Sequence, residues 1–131
     1  MKIAEVKEWI FLAENDLYSA KVLFSQSRKP LEVISYLCSQ SAEKYLKGYL
    51  VYNDKIPPKT HNLISLLNLC EEIDSSFKEI ETECGYLNNF NNEIRYPMKI
   101  ELQEIDVKIA IKRLEKIQNF KIIELMTSSI Q

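Results

Sequence analysis

The stretch Tyr86-Leu87-Asn88-Asn89-Phe90-Asn91-Asn92-Glu93-Ile94-Arg95-Tyr96-Pro97 holds the side chains best suited to meet a ligand. Its asparagines supply donors and acceptors, Arg95 a planar fork that matches phosphate, and Tyr86 and Tyr96 ring faces for stacking. A nucleotide or single-stranded RNA would fit that set. The same residues also suit a polar helix end, with asparagines capping carbonyls and Arg95 paired to a glutamate. Upstream, Lys44 and Lys47 are candidates to add positive charge at a ligand site, or else are simply solvated lysines on a helix.

Other chemistries lack their residues. His61 is the one histidine, so no Glu-x-x-His pair and no H-E-x-x-H helix can form. Neither a di-iron nor a zinc site is expected, and no cofactor is implied. The only glycines are Gly48 and Gly85, so there is no Gly-rich loop to cradle phosphates through backbone N–H groups. Any nucleotide must be held by side chains. Cys38, Cys70 and Cys84 are widely spaced and fall on apolar helix faces, the pattern of small core residues rather than of a disulfide or zinc framework.

The formal charge is -2, with acidic and basic side chains interspersed, so attraction of nucleic acid has to come from a local patch. The longest apolar run, Trp9 to Ala13, is far too short to span a bilayer. The start Met1-Lys2-Ile3-Ala4-Glu5-Val6-Lys7-Glu8 is too charged for a secretory signal, and a cytoplasmic location is expected.

The elements that must position these residues are helices. With two glycines and four prolines the chain has few sites for the tight turns of a sheet, and no segment alternates strictly. Val6, Trp9, Ile10, Ala13, Leu17, Ala20, Leu23 and Phe24 recur at helical spacing and predict a first helix over residues 3–26. Pro30 opens a second, over 31–52, whose broad apolar face suits a central position. Gln40, Glu43, Lys44 and Lys47 form its opposing polar side. Thr60 is the expected N-cap of a short third helix through Leu63, Leu66, Leu67, Cys70 and Ile73. Ser76 with Glu79 reads as the capping box of a fourth, burying Phe77, Ile80, Cys84 and Leu87. A final helix of about twenty residues carries Val107, Ala110, Ile111, Leu114, Ile117 and Phe120. Gly48 and Gly85 both fall inside helices, where glycine costs about 1 kcal/mol against alanine; each marks either close backbone approach or chance tolerance. The fold class is all-α: an antiparallel up-and-down bundle of four main helices plus one short helix, in a single domain over residues 1–131.

Four segments give the chain a resemblance to the HEPN family. Trp9, Ala13, Asp16, Leu17 and Ala20 match W-x-x-x-A-x-x-D-L-x-x-A, and Gln40, Ala42, Glu43, Lys44, Leu46 and Lys47 match Q-x-A-E-K-x-L-K. Thr60-His61-Asn62-Leu63 resembles T-H-[DN]-L, and Arg95-Tyr96-Pro97 resembles R-Y-P. The resemblance covers residues 9–97. It implies a helical bundle that forms homodimers, with a minimal nucleotidyltransferase as the partner protein in a toxin–antitoxin-like module. It also implies a nucleotide or RNA as ligand, with Arg95 on a phosphate and Tyr96 packing or stacking. Many members are metal-independent RNases with an arginine and, about four to six residues further on, a histidine. Arg95 matches that arginine, but Lys99, Ile100 and Glu101 stand in the window. The general acid/base is therefore missing, and the Thr-His-Asn-Leu context of His61 fits a helix start better than catalysis. A binding protein is the favoured reading; a ribonuclease using Arg95 with a non-standard acid/base, and a purely structural helical module, are the alternatives.

Overall fold

The computed structural model describes residues 2–91 and 101–131. Among them there are six α-helices and no strand: α1 (Ile3–Phe24), α2 (Leu31–Tyr52), α3 (Leu63–Ile73), α4 (Glu81–Leu87), α5 (Glu104–Gln118) and α6 (Lys121–Ser129). Short 3-10 turns at Ser75–Ile80 and Asn88–Phe90 flank α4. The helices pack as a bundle of long and short members, the expected class.

The apolar stripe of α1 does what its spacing predicts. Val6, Ile10, Ala13, Leu17 and Ala20 are buried, chiefly against α2. Trp9 lies against Gly48 while Asp16 reaches Lys44, so the two helices run antiparallel. Helix α2 is the centre of the molecule and touches every other α-helix. It packs on α1, α3, α4, α5 and α6. Its burial runs almost unbroken from Ile34 to Val51, which explains its wide face.

Several boundaries differ from expectation. Helix α1 ends at Phe24, two residues early. Asn62, not Thr60, caps α3: its Oδ1 accepts from the backbone N–H groups of Ile64 and Ser65 at 2.9 and 3.1 Å, while Thr60 Oγ1 accepts from the N–H of Asn62 itself. The expected Ser76 cap is replaced by Asp74, whose carboxylate accepts from Ser76 N–H at 2.9 Å and starts a 3-10 turn before α4. Even so, Phe77, Ile80, Cys84 and Leu87 point inward as their spacing requires. The long last helix is broken at Asn119 and Phe120. There the backbone of Phe120 turns extended, and its ring meets Phe77 edge-on with centroids 5.1 Å apart. The break buries the Phe120 ring, and α6 packs its own stripe, Ile123 and Met126.

Gly48 and Gly85 separate cleanly. A Cβ on Gly48 would stand 3.2 Å from both Trp9 Cβ and Ile10 Cδ1, so glycine there lets α1 and α2 approach closely. A Cβ on Gly85 would meet nothing within 4 Å.

Candidate functional site

The polar side of α2 is not a solvated face. Glu43 is 5% exposed and Lys47 7%. A carboxylate and an ammonium leave water only when matched, and here they match each other: Lys47 Nζ donates to Glu43 Oε2 at 2.9 Å. The other carboxylate oxygen, Oε1, lies 3.0 Å from Nδ1 of His61, and the amide of Gln40 donates to it at 3.4 Å. Lys47 Nζ also stands 5.9 Å from the centroid of the Trp9 ring, at the edge of cation–π range. Trp9 in turn directs its indole N–H toward Glu5 at 3.4 Å.

One step along, Lys44 Nζ crosses to α1 and donates to Asp16 Oδ2 at 2.6 Å, and Ser41 Oγ donates to the Ala13 carbonyl at 2.7 Å. Both bonds staple α1 to α2. The two lysines singled out from the sequence are therefore each held by an internal carboxylate.

His61 sits just ahead of the Asn62 cap, at the mouth of this network. The Glu43 bond fixes one ring nitrogen, yet the side chain is 58% exposed. A carboxylate beside Nδ1 favours the tautomer that carries its proton on that nitrogen. Glu43 and His61 were not among the candidate site residues read from the sequence. Both belong to motifs that carried the family resemblance, which was the available signal.

The Asn-rich stretch divides. Asn88 Oδ1 accepts from the N–H of Leu63 at 2.8 Å, helping to close the start of α3, and Asn89 donates to the Tyr86 carbonyl at 3.2 Å. Tyr86 gives its hydroxyl proton to the carbonyl of Asp106 at 2.7 Å, packs its ring against Phe90, and faces the Arg113 guanidinium at 5.7 Å. These residues follow the capping and packing alternative, and Tyr86 is already committed. Arg95 and Tyr96 lie outside the described residues.

A second charged cluster joins α4 and α5. Glu83, 2% exposed, takes Arg113 at 3.4 Å and Lys116 at 3.2 Å on the same oxygen. The three thiols are buried in the core, and burial pushes Cys38 and Cys84 each up to about 12, with Cys70 raised further. Among the described residues no group of three His, Cys, Asp or Glu side chains could hold a metal ion, and no helix is long and apolar enough to cross a membrane.

The Asp16–Lys44 pair is a separate link between α1 and α2, while Trp9 from α1, Glu43 and Lys47 from α2, and His61 before α3 thus form one network. Three of the four motif segments converge there. The family model described as HEPN domain matches residues 6–125. The chain belongs to the HEPN domain family. That family places the protein in nucleotide- or RNA-related work. No curated protein and no solved structure matches the chain.

Proposed function

We propose that this HEPN protein binds a nucleotide or single-stranded RNA and acts as a cytoplasmic homodimer, the partner of a minimal nucleotidyltransferase in a toxin–antitoxin-like module. The network that joins Trp9, Glu43, Lys47 and His61 from three separate segments of the chain supports this reading most directly. A buried ion pair is a costly way to stabilise a helix bundle, since apolar residues of similar volume do as well or better. In this reading the network orders α1, α2 and the turn before α3 relative to one another rather than merely filling space. Direct contact with phosphate falls to Arg95, with Tyr96 packing or stacking on the base. Lys44 and Lys47 take the supporting part, because Asp16 and Glu43 already match their charges.

Thermal melting of the protein titrated with ATP, GTP and a single-stranded RNA tests the proposal. A ligand that binds only the folded state raises the melting temperature in proportion to the logarithm of its concentration. A rise for at least one of these ligands, lost in Arg95→Ala, is expected. A flat response to all three at millimolar nucleotide would remove the proposal.

The second reading, ribonuclease, gains from one observation. The motif histidine is missing after Arg95, but a different histidine stands half-exposed with its orientation fixed by a buried carboxylate.

A further inference from the structure

We propose that the outer side of α1 is the face on which two copies of this chain meet, antiparallel about a two-fold axis beside Phe11. This rests on the homodimer reading above and says where the dimer forms and in what register. The inward stripe of α1 is fully used, with Val6, Ile10, Ala13, Leu17 and Ala20 buried. Its opposite side nonetheless carries Phe11 at 60% exposure and Tyr18 at 70%, with Ile3 and Val22 also open. Ile3, Lys7, Phe11, Glu14, Tyr18 and Val22 follow one another at steps of three or four residues and so share one side of the helix. Single apolar residues on a surface are ordinary, whereas a continuous row marks a contact. This one runs for about 28 Å.

Beside Phe11 the row opens into a groove between α1 and the end of α6. It has a volume of about 230 Å³ and is lined by Lys7, Ile10, Phe11, Glu14, Thr127 and Ile130. An aromatic ring from a second molecule can enter there without displacing any buried side chain.

The charges on the row select the occupant. A two-fold interface between identical copies must be self-complementary, because each contact occurs twice with the roles exchanged. Lys7 stands one turn before Phe11, and Glu14 one turn after it. With two α1 helices antiparallel and the axis beside Phe11, Lys7 of each copy faces Glu14 of the other. The two Phe11 rings then meet at the centre, each next to the other copy's groove, and Ile3 faces Tyr18. A parallel arrangement would instead oppose Lys7 to Lys7 and Glu14 to Glu14. Among the described residues, neither Lys7 nor Glu14 has an ion-pair partner within its own chain. Lys21, at the rim of the row, is already matched by Glu115 and brings no unpaired charge.

The test uses the full chain and reads its mass by sedimentation over a range of concentrations. The wild type is expected to be a dimer. Lys7→Glu and Glu14→Lys each set like charges face to face and are expected to weaken it about 10-fold or more. The double variant restores opposite charges with the signs exchanged and is expected to return to within about 3-fold of the wild type. Loss of folding cannot imitate that recovery. Phe11→Ser is expected to give a monomer with the helical circular dichroism of the wild type. Because the three native cysteines are buried, Phe11→Cys adds the one reactive thiol. A short bismaleimide should join two copies through it, and should not do so through Lys78→Cys, which lies off the row. A dimer that tolerates Lys7→Glu, Glu14→Lys and Phe11→Ser overturns this face and leaves the homodimer reading standing. A double variant no better than its single parents overturns the register. A wild type that is monomeric throughout removes the face and the homodimer together, and spares the ligand-binding proposal.

Discussion

Nδ1 of His61 and Oε1 of Glu43 lie 3.0 Å apart across a gap in sequence that no local element spans. The contact joins the turn before α3 to the middle of α2, and through Lys47 it reaches the Trp9 ring on α1. Removing the carboxylate should therefore cost more than removing the imidazole. Glu43→Ala leaves the Lys47 ammonium buried without its counter-charge and is expected to lose about 3 kcal/mol. His61→Ala, at an exposed position, is expected to lose about 1 kcal/mol or less. Replacing the buried pair together, Glu43→Leu with Lys47→Met, should cost less than Glu43→Ala alone. Urea unfolding of the three variants checks the order.

The two glycines should respond to alanine with opposite signs. At Gly48 the new Cβ would crowd Trp9 Cβ and Ile10 Cδ1, and the first of these is fixed close to the α1 backbone. The strain exceeds the helix-propensity gain, for a net loss of about 1 kcal/mol. At Gly85 the methyl group enters open space, and alanine should stabilise by up to about 1 kcal/mol. Melting temperatures of Gly48→Ala and Gly85→Ala, measured side by side, give the comparison.

The buried thiols make stability fall on the alkaline side. Burial first, then the nearby carboxylates, raise Cys38 and Cys84 from 9.0 to about 12, and burial raises the Tyr45 phenol from 10.0 to about 12. Above pH 9 the unfolded chain begins to release these protons while the folded chain retains them. The unfolded state then binds fewer protons, so stability decreases as pH rises, and the loss continues until the folded values near 12 are passed. Each such group steepens the loss by about 1.4 kcal/mol per pH unit once its unfolded form is ionised. Urea midpoints between pH 8 and pH 11 should decline, and Cys38→Ala should flatten the decline even while lowering stability at neutral pH. A thiol reagent at pH 8 should label the protein only after denaturant is added.

The cap of α3 gives a smaller, local prediction. Asn62→Ala frees two backbone N–H groups and should cost about 1 kcal/mol. Thr60→Ala loses only the acceptor for one N–H and should cost less.

Much of this architecture could be read from periodicity, and the failures have physical causes. The stripe from Val6 to Ala20 and the inward set Phe77, Ile80, Cys84 and Leu87 follow directly from helical spacing. The break between α5 and α6 did not show, because no glycine or proline marks it; it depends on Phe120 reaching Phe77, a contact distant in sequence. The burial of Glu43 and Lys47 was equally hidden. Charged residue types read as solvated until their partners are known, and His61 comes from a separate loop. Tyr86 looked like a stacking surface by composition, yet Asp106, Phe90 and Arg113 already occupy it.

Fluorescence anisotropy of a labelled single-stranded RNA, titrated with wild-type protein and with Arg95→Ala over a series of salt concentrations, bears most directly on the proposed function. The wild type should bind, with affinity falling as salt rises because phosphate contacts release counterions. Arg95→Ala should bind about 10-fold more weakly with a shallower salt dependence, at an unchanged melting temperature. Equal binding by the two proteins would contradict the role given to Arg95, and no binding by the wild type to RNA, ATP or GTP would contradict the account as a whole.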